Sequence, residues 1–127
     1  YVPAATSHTT TAARIQLLRK AGIKVMSCGA NNPFAYNSRN TDLSAWVADM
    51  LALQREADKH FAILPDFVAN CGMARTFAYL MGAGSKTDEK SIMSDSAAAI
   101  DQAVDKLLKG HSQPTGLLAH AYSVFIP

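Results

Sequence analysis

Three short segments hold most of the residues that could grip a small polar ligand. They are Pro3-Ala4-Ala5-Thr6, Gly29-Ala30-Asn31-Asn32-Pro33 and Pro65-Asp66-Phe67-Val68-Ala69-Asn70-Cys71-Gly72. Each joins small residues, which let a backbone approach a bound molecule closely, to short polar ones. An Asn amide offers a donor and an acceptor at once, so it can read an amide or a hydroxyl on a ligand. Each segment alone has a plainer reading. Asn-Asn-Pro is an ordinary turn, Asn70 suits the N-cap of a helix, and Asp66 suits a solvated turn. Their common place at the ends of successive strands is what favours a shared site.

Other chemistries find no support in the spacing. The four histidines, His8, His60, His111 and His120, lack a metal-ligand pattern. His8 lies beside the first segment and reads as a surface residue. Ser7-His8 is no nucleophile elbow. Asp66 is the only acidic residue in the three segments, so no pair of carboxylates stands ready for acid–base work. No catalytic residue and no metal ligand is assigned. The phosphate-cradling turn G-x-G-x-x-G is absent.

The elements that position these segments follow from capping and periodicity. Residues 1–5 read as the tail of a strand, and the opening Tyr1-Val2-Pro3 reads as a strand entered midway, as in a fragment or excised domain. Thr9, Thr10 and Thr11 offer N-caps for a helix to about Lys20, with Ile15, Leu18 and Ala21 on one face. Gly22 ends it. Ile23 to Cys28 is a short apolar strand, and 29–39 is a loop. Thr41 or Asp42 caps a second helix whose stripe is Leu43, Trp46, Val47, Met50, Leu51 and Ala57. Phe61 to Leu64 is a third strand, stopped by Pro65. A third helix spans Ala69 to Met81, starting near Asn70 or Gly72. After a polar loop, Ser94 or Ser96 caps a fourth helix with Ile100, Ala103, Val104, Leu107 and Leu108 on its stripe. Lys106 and Lys109 suit its negative end, and Gly110 closes it. Leu117 to Ile126 reads as a last helix.

Buried strands alternating with amphipathic helices imply parallel pairing and right-handed crossovers. The fold class is therefore α/β: a partial Rossmann-like parallel sheet of about three strands flanked by helices, with a helical C-terminal tail. In such sheets ligands bind beyond the carboxyl ends of the strands, where all three segments fall. Two Asn-bearing loops side by side could cradle one end of a dinucleotide, at its nicotinamide carboxamide or ribose hydroxyls.

Bulk properties narrow the class. The chain has 127 residues, 49% apolar and 17% charged, and a net charge of +2. That fits one globular domain or fragment rather than a disordered chain. The cations are scattered without aromatic interleaving, which argues against a nucleic-acid partner. No apolar run reaches the roughly 20 residues of a membrane span. Cys28 and Cys71 read as buried free thiols, in keeping with a reducing, cytoplasmic compartment.

The same three segments carry a family resemblance. Pro3-Ala4-Ala5 after a strand, Gly29 to Pro33 after the next, then Pro65 to Gly72, resemble the amino acid dehydrogenases that act on glutamate, leucine, phenylalanine or valine. The last segment is the most specific. The resemblance covers most of residues 1–81, and less clearly the helical segment 82–127. It implies that 1–81 is part of an NAD(P)-binding region, with Ala4, Asn31 and Asn70 near the nicotinamide and its ribose. It implies that Gly72 opens a helix whose positive end faces the cleft, and that Ala74 and Phe77 line the substrate side-chain pocket. Phe77 there argues against glutamate; ordinary core is the competing reading of both residues.

What else the resemblance implies concerns a larger parent. That enzyme oxidises an L-amino acid to a 2-oxo acid and ammonia with NAD or NADP, and is a homo-oligomer. Its proton-transferring lysine and aspartate belong to a separate upstream substrate domain, so this chain alone is expected to have no turnover. Two features depart from the family. Met73 stands where a second glycine is usual, and the helix from Asp42 to His60 is long. Met73 and the absent phosphate turn motivate one alternative, a non-catalytic nucleotide-binding or regulatory domain; the helical tail motivates another, an oligomerisation domain that packs through Ser91 to Pro127.

Overall fold

The computed structural model describes residues 1–37, 39 and 41–126. Ser38 in the expected 29–39 loop, Asn40, and Pro127 at the end of the expected tail lie outside the described residues. The fold is mixed α/β and mostly helical. In chain order it comprises α1 (Ala12–Lys20), β1 (Val25–Ser27), α2 (Leu43–Asp58), β2 (Ala62–Leu64), α3 (Asp66–Ala69), α4 (Gly72–Leu80), α5 (Glu89–Lys109) and α6 (Leu117–Phe125).

β1 and β2 pair in parallel, with Val25 opposite Ala62, Met26 opposite Ile63 and Ser27 opposite Leu64. The sheet has these two strands among the described residues, not the expected three. The cause lies in the first segment. Tyr1 begins a parallel ladder on β1: its amino group donates to Val25 O at 3.0 Å, and Ser27 N donates to Tyr1 O at 3.0 Å. The next rung needs an N–H at residue 3, and Pro3 has none. The chain then turns away through Ala5 at φ 69°.

Side chains alternate across the sheet as a strand requires. Met26 and Ile63 join Ile15, Cys28, Phe34, Ala57, Phe61 and Leu118 in one buried cluster. Ala62 and Leu64 face the other cluster, built on Leu107, Leu117 and Ala121. With apolar residues packed on both faces, parallel pairing is sustainable in so small a sheet.

Several helix ends follow the expected chemistry. Thr11 caps α1 by accepting from Arg14 N at 3.2 Å, and Gly22 follows the helix at φ 75°, a conformation glycine adopts without strain. Asp42 caps α2 by accepting from Ser44 N at 3.1 Å. Others do not. α5 starts at Glu89, earlier than expected, because Asp88 accepts from Ser91 N at 3.0 Å and from Ser91 Oγ at 2.7 Å. Ser94 and Ser96 lie inside the helix instead. The expected third helix, with its start near Asn70 or Gly72, is α4 from Gly72 with Met81 at its C-cap, whereas the short α3 before it was not expected; Asn70 and Cys71 lie between the two. α6 has Gly116 at its N-cap and no cap of its own. Buried Asp58, at the end of α2, supplies it: Leu118 N donates to Oδ1 at 2.9 Å and Ala119 N to Oδ2 at 3.0 Å.

No helix among the described residues is long and apolar enough to cross a membrane.

Candidate functional site

The loops that follow the strands converge. The first two meet at Gly29, where a Cβ would come within 3.4 Å of both Ala4 Cβ and Val2 Cγ1. The two loops are therefore in van der Waals reach of each other at Gly29. The second and third meet at two hydrogen bonds. Asn70 Nδ2 donates to Asn31 Oδ1 at 2.6 Å, and Asn32 N donates to Asp66 Oδ2 at 2.8 Å. The other oxygen of Asp66 accepts from Phe67 N at 2.9 Å, in the first turn of α3. Asp66 thus fastens one loop to the other and is no free turn residue.

The first loop is bound to the second along its length as well. His8 N donates to Asn32 O at 2.9 Å, Thr10 N to Pro33 O at 2.8 Å and Ala35 N to Thr10 O at 3.0 Å. The His8 ring bonds Phe34 O through Nδ1 at 3.0 Å. Because a carbonyl can only accept, Nδ1 carries the proton. Among the described residues, three non-glycine ones have left-handed backbone: Ala5 (φ 69°), His8 (φ 61°) and Asn32 (φ 45°). All lie in these two loops. Such conformations cost energy and persist where surrounding bonds impose them, as the bonds to Asn32 N and O do here.

The residues singled out in the sequence fall into two groups. Ala4, Asn31 and Asn70 are exposed at this junction, and Gly72 is half-buried just beyond it, at the start of α4. Asn70 is not an N-cap: it ends α3, and its Nδ2 donates to Asn31 Oδ1. Cys71 takes the N-cap of α4 and makes no side-chain cap bond. No atom lies within 4 Å of a Cβ built on Gly72, so packing does not demand glycine there. Ala74 and Phe77 form the second group, further along α4. Both are exposed, so neither is core. Met73 is 71% exposed, so its side chain is not packed into the turn between α3 and α4.

Electrostatics beneath the loops favour neutral groups. Burial, and then the Asp66 carboxylate, push the Cys28 thiol up to about 12. Burial and Asp66 also raise the Tyr122 phenol above its ordinary value. Cys71 is only half-buried, so the expectation of two buried thiols holds for Cys28 alone.

Several features of the site had no sequence signal. Tyr36 stacks on Trp46 with ring centroids 4.8 Å apart, and the His8 ring meets Tyr36 edge-on at 4.8 Å. This chain of rings links the first loop to α2. The clamp role of Asp66 depends on a partner 34 positions away, which no local pattern announces. Clefts of about 330 Å³ and 300 Å³ lie elsewhere, one along α5 beside Arg75, Gln102, Lys106 and Phe125, the other around Arg55, Lys59 and Thr115. Ala4, Asn31 and Asn70 at the loop junction are exposed and line neither of these clefts. Among the described residues no group of three or more His, Cys, Asp or Glu is placed to hold a metal ion.

No protein-family model, curated protein or solved structure matches the chain.

Proposed function

We propose that this chain supplies the nicotinamide end of the cofactor cleft in an NAD(P)-dependent amino acid dehydrogenase, as part of a larger enzyme. The observation that carries the reading is the junction of Ala4, Asn31 and Asn70 at the ends of the strand-following loops. The Asn31–Asn70 bond uses one donor and one acceptor. It leaves the Asn31 Nδ2 donors and the Asn70 Oδ1 acceptor, a pair complementary to a carboxamide or to ribose hydroxyls. The residues present therefore fit that end of the cofactor. Ala4 and Gly29 leave the backbone approachable, and Asp66 keeps Asn31 opposite Asn70.

A bound dinucleotide would accept the substrate hydride. This chain's residues would orient it. Both Asp66 oxygens are already engaged by main-chain N–H groups, so no carboxylate in the loops is free to move a proton. That favours a chain without turnover of its own. Ala74 and Phe77 would form an apolar wall for the amino acid side chain, which the rest of the parent would complete.

The absent phosphate turn and Met73 favour a second reading, a non-catalytic nucleotide-binding or regulatory domain. One titration tests both. Nicotinamide mononucleotide, NAD, NADP and AMP are added in turn while Trp46 fluorescence is followed, since Trp46 reaches the first loop through Tyr36 and His8. The proposal predicts saturation by the nicotinamide-bearing ligands and none by AMP. Binding of AMP alone would move the site to another nucleotide chemistry. No response to any ligand, checked by calorimetry, would overturn both readings.

A further inference from the structure

α2 and α6 are pinned to each other at two places. At one, the Asp58 carboxylate accepts from Leu118 N at 2.9 Å and Ala119 N at 3.0 Å, and its carbonyl accepts from Gly116 N at 2.9 Å. One turn further along α6, the Tyr122 hydroxyl donates to Gln54 Oε1 at 3.1 Å. Helical spacing puts Leu51, Gln54, Arg55 and Asp58 on one face of α2. Between the two pins stands Ala119, whose methyl is too short to fill the space. A cavity of about 140 Å³ remains there, bounded by Leu51, Gln54, Leu118 and Tyr122. A second, of about 300 Å³, is bounded by Lys59, Thr115 and Gly116. Arg55, Asp58 and Ala119 line both, so the two are parts of one groove.

The two parts differ in chemistry. The inner one is walled by buried Leu118, by Leu51 and by the Tyr122 ring. Its volume is close to the roughly 150 Å³ of an apolar cavity that admits benzene. The outer part holds two cations, Arg55 and Lys59, against one carboxylate, Asp58. Both Asp58 oxygens are spent on N–H groups of the first turn of α6, whose positive end offsets its charge. Lys59 pairs with Glu56 at 3.0 Å, whereas Arg55 forms no salt bridge among the described residues. The rim therefore keeps a guanidinium whose fork suits a carboxylate.

We propose that the α2–α6 groove binds a small organic monoanion with a ring-sized apolar end. The ring enters the inner cavity between Leu51, Leu118 and Tyr122, and the carboxylate meets Arg55. A concave, mainly apolar site with a few placed polar groups fits a small molecule. None of Ala4, Asn31, Asn70, Gly72, Ala74 and Phe77 lines this groove, so the proposal stands apart from the nucleotide reading.

Titration of the full chain without nucleotide, followed by the backbone amide resonances of Leu118 and Ala119, tests the proposal. The probes are 3-phenylpropionate, the neutral 3-phenylpropanol, and propionate, which has no ring. Ligands of this size bind at about 0.1–5 mM, so each titration runs to about 20 mM. The phenyl acid is expected to saturate, the alcohol to bind about two- to fivefold more weakly for want of the exposed ion pair, and propionate not to saturate. Arg55→Gln is expected to make acid and alcohol bind alike. Ala119→Leu puts a larger side chain at the junction of the two cavities and is expected to weaken both ligands about fivefold or more. Both positions are exposed, so helicity by circular dichroism is expected to be unchanged. Absence of saturation by the acid at these amides, an alcohol that binds the wild type as well as the acid, or an acid affinity that neither variant lowers overturns the proposal.

Discussion

Removing the Asp66 carboxylate tests the clamp between the loops. Asp66→Ala deletes acceptors for Asn32 N at 2.8 Å and Phe67 N at 2.9 Å. A hydrogen bond to a charged group is worth about 1.5–3 kcal/mol when its donor is stranded. Here one bond is exposed and the other part-buried, so water compensates the freed N–H groups in part and the loss falls below that range, at about 1 kcal/mol per bond or about 2 kcal/mol for the two together. Asn32 at φ 45° also loses a bond that holds it in the left-handed region, and its relaxation displaces Asn31 from Asn70. Urea denaturation is the assay: the midpoint should fall while the slope stays constant. For a chain of this length the melting temperature should drop by roughly 5–10 °C. Asp66→Asn keeps one acceptor oxygen and should lose about half as much. A midpoint unchanged in Asp66→Ala would refute the clamp.

Three further outcomes follow from the geometry. Asp58→Ala leaves Leu118 N and Ala119 N without their buried acceptor, and should cost about 3 kcal/mol with a loss of α6 helicity; retention of both would show that α6 is capped otherwise. In a native-state thiol titration near pH 8, Cys71 should react while Cys28, buried and pushed up to about 12, stays silent until the chain unfolds; two fast thiols would contradict this. The Arg75 guanidinium holds the Asp95 carboxyl below its ordinary value. A depressed carboxylate adds stability that is present above its unfolded pKa and lost as pH falls through its folded one. The tie between α4 and α5 should therefore weaken below about pH 4, and Asp95→Asn, measured by denaturation across pH 2–6, should flatten that acid limb. An unflattened limb would place the acid sensitivity elsewhere.

Local signals in the sequence were legible and distant ones were not. Thr11, Asp42 and Gly22 sit where hydroxyl, carboxylate and left-handed backbone are required, so α1 and α2 begin or end as expected. The Leu117–Phe125 helix also agrees with its apolar spacing. Pro3 was read as part of a strand tail, although its missing N–H is what stops a third strand from pairing with β1. The serines before Ile100 drew the start of α5 inward, while Asp88 with Glu89 provided the stronger N-terminus. At the loops, residue type suggested Asn31 and Asn70 as contacts for one ligand, but not that they bond to each other. Asp58 and Asp66 act across 60 and 34 positions, distances over which pattern carries no information. Phe77 was read through the resemblance as a wall of a substrate pocket, with core as the competing reading; its exposure removes the core reading, and the outward face of α4 becomes visible only once α5 is seen to bind Arg75 on its other side.

The affinity for nicotinamide mononucleotide in the wild-type chain and in Asn31→Ala and Asn70→Ala, measured by calorimetry, tests the central claim most directly. The account predicts saturable binding to the wild type, weakened about three- to tenfold by either substitution, the loss of one neutral hydrogen bond. Absence of binding to the wild type, or equal affinity in all three chains, would contradict it.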